Sequence, residues 1–304
     1  MPTTEGGIDA GVGRTALMVA AARAIETHRA DSLARDEYAE HFVRAARASA
    51  DWPVRPDQVT DDDPLWGRLA RYFGLRTRVF DDFLLGSAHA GTRQVVLFGA
   101  GLDSRALRLD WPAGVTVFEL DREPVLAFKQ RVLDDLGASH RATRVPVAVD
   151  LGHDWSPALA AAGFAPGLPT AWLAEGLVMY LTPTAERRLV DAVDRLSAPA
   201  GALVYETKQR PTAPNIVHHP LYTGTRTRIG VDLISLFDAG PRPDSAADLT
   251  GRGWSTTTRV PFEFTTRHGF RLRREANDPL DDNRWVFAEK PRESRGPQES
   301  ERPG

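Results

Sequence analysis

Apolar residues between Arg14 and Ala90 recur at helical spacing, and from Arg93 onward the rhythm changes to short apolar runs separated by amphipathic stretches. Ala16, Leu17, Val19, Ala20 and Ile25 form one set. Tyr38, Phe42, Val43 and Ala46 form a second, and Leu65, Leu69, Tyr72, Phe73, Val79, Phe80, Phe83 and Leu84 a third. Apolar positions three and four residues apart lie on one face of a helix. The pattern predicts a helical cap over 14–90, interrupted by a proline- and aspartate-rich loop over Asp51–Pro64.

Beyond the cap the order is strand, turn, helix, repeated. Strands are expected at Gln94–Phe98, Val115–Leu120, Arg144–Val149, Thr170–Ala174 and Ala202–Glu206. Helices are expected at Glu123–Leu136, Ser156–Ala162 and Thr184–Leu196, the last opened by Thr182 as N-cap and Pro183 in the first turn. Such alternation gives a parallel sheet with helices on both faces. Short helical pieces at Asp232–Phe237 and Ser245–Gly251 follow, then closing strands at Trp254–Val260 and Trp285–Glu289 that suit antiparallel pairing. The division is a disordered start over 1–13, the cap over 14–90, an α/β core over 91–290 with an insertion near 209–245, and a disordered tail over 291–304.

Composition narrows the function classes. The formal net charge of −3 gives no general attraction to nucleic acid or an anionic membrane. The chain has no cysteine, which removes disulfides, thiolate nucleophiles and thiolate metal sites. No apolar run approaches the roughly 20 residues that span a bilayer, so a cytoplasmic enzyme acting on a small molecule is expected, with no metal, nucleic-acid or membrane partner.

The chemistry concentrates at strand ends. The first strand runs into Gly99-Ala100-Gly101, where small residues let a ligand approach the backbone. The second ends at Asp121, about 20 residues on, the spacing of an acid that grips ribose hydroxyls. Alone, Asp121 also reads as a cap for the helix after it. The third strand ends at Asp150-Leu151 and the fourth at Glu175-Gly176. In a parallel sheet these ends share one edge, so the groups converge on one crevice. Ser104 stands where the dinucleotide fingerprint has its third glycine, and the acidic rim suits a pyrophosphate poorly. The pattern favours a nucleoside with a cationic tail over a nicotinamide cofactor. An NAD(P)-dependent oxidoreductase and a non-catalytic nucleoside-binding module are the alternatives.

The segments Arg76-Thr-Arg-Val-Phe-Asp-Asp82, Phe98-Gly-Ala-Gly-Leu-Asp-Ser-Arg105, Phe118-Glu-Leu-Asp121, Val149-Asp-Leu151 and Ala174-Glu-Gly-Leu-Val-Met-Tyr-Leu181 carry a resemblance. Together with Thr15–Arg23 they resemble the leucine carboxyl methyltransferase-like family of class I methyltransferases, including its bacterial polyketide O-methyltransferase branch. The resemblance implies a Rossmann-like, mostly parallel sheet of about seven strands. It implies S-adenosyl-L-methionine as cofactor and methyl transfer to a carboxylate or phenolic hydroxyl of a small molecule. It places Gly99 and Gly101 under the cofactor, Asp121 on the ribose, Asp150 and Leu151 at the adenine and Glu175 near the sulfonium. Arg78 is similar to the arginine that pairs with the methionine carboxylate, with Arg76 two residues away as the other candidate. Arg78 beside Asp81 and Asp82 also reads as an exposed helix pair.

The chain offers no obvious general base. His218 and His219, adjacent in a proline-rich segment, and Tyr222 are the candidates if the acceptor is a phenol, although a solvated loop explains the histidines as well. Lys208, Arg226 and Arg228 are candidates for orienting an acidic acceptor.

Overall fold

The computed structural model describes residues 7–60, 62–209, 217–267, 272, 274, 275 and 277–292. The strands are β1 Gln94–Phe98, β2 Thr116–Asp121, β3 Thr143–Ala148, β4 Thr170–Ala174, β5 Ala202–Lys208, β6 Ser255–Arg259 and β7 Asn283–Glu289. They form one sheet in the order β3-β2-β1-β4-β5-β7-β6. The first five pair in parallel, and β7 runs antiparallel between β5 and β6. The strand order reverses between β1 and β4, which opens a crevice at the carboxyl edge.

β1 carries side chains into both layers. Val95 and Leu97 join the core on the cap side, whereas Val96 and Phe98 join the core on the other face. That is the period of two expected of a strand covered on both sides. Phe98 stacks on Trp172 with centroids 5.7 Å apart, a pair contributing ~1 kcal/mol beyond its buried area. β3, at the edge, buries only Val147 fully.

The cap is built from α1 Gly11–Thr27, α2 Ala39–Ala45 and α3 Trp66–His89. α3 lies on the sheet, where its Phe80 meets Trp285 of β7 edge to face, at 5.3 Å. The core helices are the short α4 Arg105–Arg108, α5 Glu123–Asp135, α6 Ser156–Ala161 and α7 Pro183–Leu196. Thr182 caps α7, its side chain accepting from the Ala185 N–H at 3.2 Å.

Two expectations need correction. Residues 11–13, read as part of a disordered start, open α1; glycines at 11 and 13 are weak helix formers, but packing decides. A Cβ on Gly13 would lie 2.6 Å from the Gly7 carbonyl oxygen, so only glycine lets the chain fold back there. The insertion, for which a solvated loop is one reading at His218 and His219, is helical in part. Residues 220–224 form a helical turn that continues as a π-helical turn over 225–229. Residues 210–216 and 293–304, read as insertion and tail, lie outside the described residues.

Candidate functional site

The turn after β1 is held by its neighbours. Gly99 and Gly101 have φ of +60° and +46°, left-handed values that favour glycine. The Ala100 N–H donates to Leu120 O at 3.1 Å, which fastens the turn to β2. A Cβ on Gly99 would meet Leu177 at 3.1 Å.

Asp121 faces this turn. Its Oδ2 accepts from the Gly101 N–H at 2.6 Å and its Oδ1 from the Arg122 N–H at 2.7 Å. It does not cap α5, whose N-cap is Arg122. Burial raises its pKa, partly offset by those two backbone donors. A carboxylate has about four acceptor positions, so two remain for a ligand. Asp150 is largely exposed, its Oδ1 accepting from the Gly152 N–H at 2.8 Å and its Oδ2 lying 3.3 Å from His153 Nδ1. Leu151 beside it is buried.

Glu175, at the end of β4, is not a free acid. Its Oε1 accepts from Arg76 Nε at 2.8 Å, and its Oε2 lies 2.8 Å from Arg105 Nη1. Burial opposes its ionisation, yet Arg105 and Arg76 together hold its pKa below the ordinary value. Arg105 is itself buried against Asp81, at 2.7 Å, and Asp103. Arg76 also donates from Nη1 to Glu206 Oε2 at 2.6 Å. Glu206 in turn accepts from Tyr72 OH and from Trp285 Nε1. A buried ion pair costs desolvation that only dense hydrogen bonding recovers, and the bonds to Glu206 supply part of that.

One cavity of about 610 Å³ joins these groups. Gly99, Gly101, Asp121, Asp150, Leu151 and Glu175 all line it, so the strand ends do converge. The cap contributes Val12, Ala16, Phe73 and Arg76. A second group of lining residues, Tyr180, Tyr222 and Phe237, is aromatic, and Lys208, Glu206 and Asn283 also line the cavity.

Other expected residues lie elsewhere. Arg78 is off the cavity, half exposed and paired with Asp82 at 3.0 Å. Two residues along a helix is a rotation of about 200°, which sends Arg76 inward and Arg78 out. His218 and His219 do not line the cavity. His219 instead accepts from the Leu221 N–H, capping the turn that Pro220 begins, and its Nε2 sits 3.3 Å from Glu275. Arg226 pairs with Asp232 and Arg228 with Asp63, at 3.2 and 2.9 Å. Tyr222 and Lys208 do reach the cavity. Sequence reasoning missed Glu206, Tyr72 and the buried Asp81–Arg105 pair, whose partners are distant in the chain.

A seven-stranded sheet of this order, with a glycine turn after its first strand and an acid closing its second, is the class I methyltransferase architecture. A solved Streptomyces avermitilis protein of the DUF574 family shares the fold, with a TM-score of 0.51 at 14% identity, covering 90% of this chain and 97% of that one. Residues 16–194 match the family model for leucine carboxyl methyltransferase. A Streptomyces coelicolor relative is 59% identical over 95% of this chain and 97% of its own length. A Rhodococcus jostii relative is 42% identical over 85% and 87%. The names of both place them among S-adenosyl-L-methionine-dependent methyltransferases. The chain belongs to the leucine carboxyl methyltransferase family and is a methyltransferase enzyme.

Proposed function

We propose that the protein transfers the methyl group of S-adenosyl-L-methionine to an oxygen of a small, largely apolar molecule, a carboxylate or a phenolic hydroxyl. Aromatic metabolites of the polyketide type fit that aromatic lining. The observation that carries this reading is the single cavity in which the Gly99–Gly101 turn and Asp121 share walls with Tyr180, Tyr222 and Phe237.

The residues present fit the cofactor. Asp121 has two acceptor positions left for ribose hydroxyls, and a Cβ on Gly99 would crowd Leu177 at 3.1 Å. The cavity volume falls within the roughly 300–1,000 Å³ usual for such ligands. Leu151 offers an apolar contact and Asp150 an acceptor for the adenine. Arg76, with Nη2 still available, is placed to hold the methionine carboxylate, and Glu175 steadies Arg76 for that task.

The bound cofactor supplies an activated methyl on a sulfonium. The chain's part is to align the acceptor with it and to exclude water. α1 covers the glycine turn through Ala16, and Tyr180 and Phe237, with centroids 5.5 Å apart, close the apolar side. A carboxylate acceptor is already ionised near neutral pH, whereas a phenol must first lose a proton.

Calorimetry with S-adenosylhomocysteine tests the donor half. Binding to the wild-type chain and its loss in Asp121→Ala are expected, and equal binding by the two would overturn the site. Release of S-adenosylhomocysteine from a panel of phenols and aromatic acids tests the acceptor half.

A further inference from the structure

We propose that Lys208 takes the proton from a hydroxyl acceptor in this cavity, which makes the acceptor a phenol or enol rather than a carboxylate. The proposal rests on the methyl-transfer reading above and names its substrate class and its base.

Lys208 closes β5 and is buried on the cavity wall. Its Nζ donates to Pro279 O at 2.5 Å and to Asn283 Oδ1 at 2.6 Å. The Asn283 amide is oriented by its other end, since Nδ2 donates to Tyr72 OH. A neutral amine spends both its N–H groups on these two acceptors. Its lone pair is then left for the cavity, where an acceptor's O–H can donate to it.

The neighbouring carboxylates are already engaged by other donors. Both Glu206 oxygens are occupied by Tyr72, Trp285 and Arg76. Asp238 is held by the Gly240 N–H and Arg242. Burial pushes Tyr180 up to about 12 and raises Tyr222 further from neutrality, so both phenols keep their protons. Burial lowers Lys208 to about 8, against the pull of Glu206, Asp282 and Asp278 and with help from Arg284. From α3, Tyr72 and Arg76 complete the set of groups around it, and both are bound to Glu206.

The step balances without another reactant. The acceptor hydroxyl gives its proton to Nζ. Its oxygen's electron pair forms the bond to the methyl carbon as the carbon–sulfur pair returns to sulfur, leaving a methyl ether, a thioether and an ammonium. That ammonium releases its proton to solvent as product leaves.

The chain has only three lysines, Lys129, Lys208 and Lys290, so carbon-13 labelling at lysine Cε gives three resonances, with Lys208 assigned by its absence in Lys208→Met. The probes are 2-naphthol and 2-naphthoate, each titrated onto protein loaded with S-adenosylhomocysteine between about pH 6.5 and 9. A base that must be neutral to receive a phenol makes naphthol affinity rise about tenfold per pH unit below the Lys208 midpoint and level off above it. In Lys208→Met that dependence should vanish. A flat naphthol profile, no naphthol binding, or tighter binding of naphthoate that weakens through the Lys208 midpoint would overturn the proposal. The last result would make Lys208 a cationic anchor for an acid. If S-adenosylhomocysteine itself fails to bind, methyl transfer is the reading that fails. If it binds and the naphthol profile is flat, Lys208 alone is refuted.

Discussion

Arg76 donates from Nε to Glu175 Oε1 across 2.8 Å, and this contact joins the helical cap to the carboxyl edge of the sheet. Through Nη1 the same guanidinium reaches Glu206, so one cap residue neutralises acids at the ends of two strands. Arg76→Ala leaves both carboxylates buried with a partner missing, a change that typically costs ~3–5 kcal/mol. Arg78→Ala removes only an exposed i,i+4 pair, worth under about 1 kcal/mol. Urea unfolding should separate the two variants by that margin. S-adenosylhomocysteine affinity should fall in the first and stay unchanged in the second; equal loss in both would contradict the assignment of Arg76.

Asp121 is ionised against the pull of burial, so its charge is available to a ligand only above a raised pKa. Ribose hydroxyls donate to the carboxylate form. Binding of S-adenosylhomocysteine should therefore weaken on acidification at a higher pH than an ordinary aspartate would give. Hydrogen bonds to a charged group contribute ~1.5–3 kcal/mol, so Asp121→Ala should lose about 10–100-fold in affinity. Calorimetry across pH checks both, and an acid limb that persists in the variant would assign the titration to another group.

Glu26 of α1 is buried, with the Leu33 N–H donating to Oε1 at 2.9 Å and Arg71 at 3.2 Å from Oε2. Burial prevails over these partners and raises its pKa from 4.5 to about 7. Because the folded state holds this proton more tightly than the unfolded chain, its stabilising effect is full below about pH 4.5 and is lost as pH rises through about 7. Glu26→Gln removes that loss, on the order of 3 kcal/mol at pH 8 before the cost of weakening Arg71 is subtracted. Thermal unfolding at pH 5 and pH 8 should show a smaller difference between the two pH values in the variant than in the wild type.

The centre of the sheet was readable because its strands there are buried on both faces. Gln94–Phe98 and Thr170–Ala174 stand where the apolar runs place them, since continuous Val, Leu and Trp leave no other reading. The glycine turn and the acids after β2, β3 and β4 were equally legible, because parallel topology alone brings strand ends together. The choice between Arg76 and Arg78 was hidden in the chain's own pattern. Arg76 lies four residues after Tyr72 and four before Phe80, on the buried stripe of α3, and Arg78 does not. The Glu206–Tyr72–Arg76 cluster was out of reach, since periodicity reports burial but not which distant side chain supplies a partner. The histidines misled for a related reason: a local N-cap and a contact with Glu275 absorb His219, and neither leaves a mark in spacing.

Gly99 and Gly163 separate backbone strain from site geometry. Both have positive φ, +60° and +95°, so alanine at either position is strained by ~1–2 kcal/mol. Around Gly163 a new Cβ meets nothing within 4 Å, whereas at Gly99 it meets Leu177, a wall of the cavity, at 3.1 Å. Displacing Leu177 reshapes the seat beneath the cofactor, and displacing the turn pulls Gly101 away from Asp121 Oδ2. Gly163→Ala should thus lower the unfolding midpoint and leave S-adenosylhomocysteine affinity intact. Gly99→Ala should lower both, with affinity falling at least about tenfold, the equivalent of one charge-assisted hydrogen bond. Equal affinity in the two variants would show that the turn tolerates a side chain, and that the close approach of ligand to backbone at Gly99 is not what holds the cofactor.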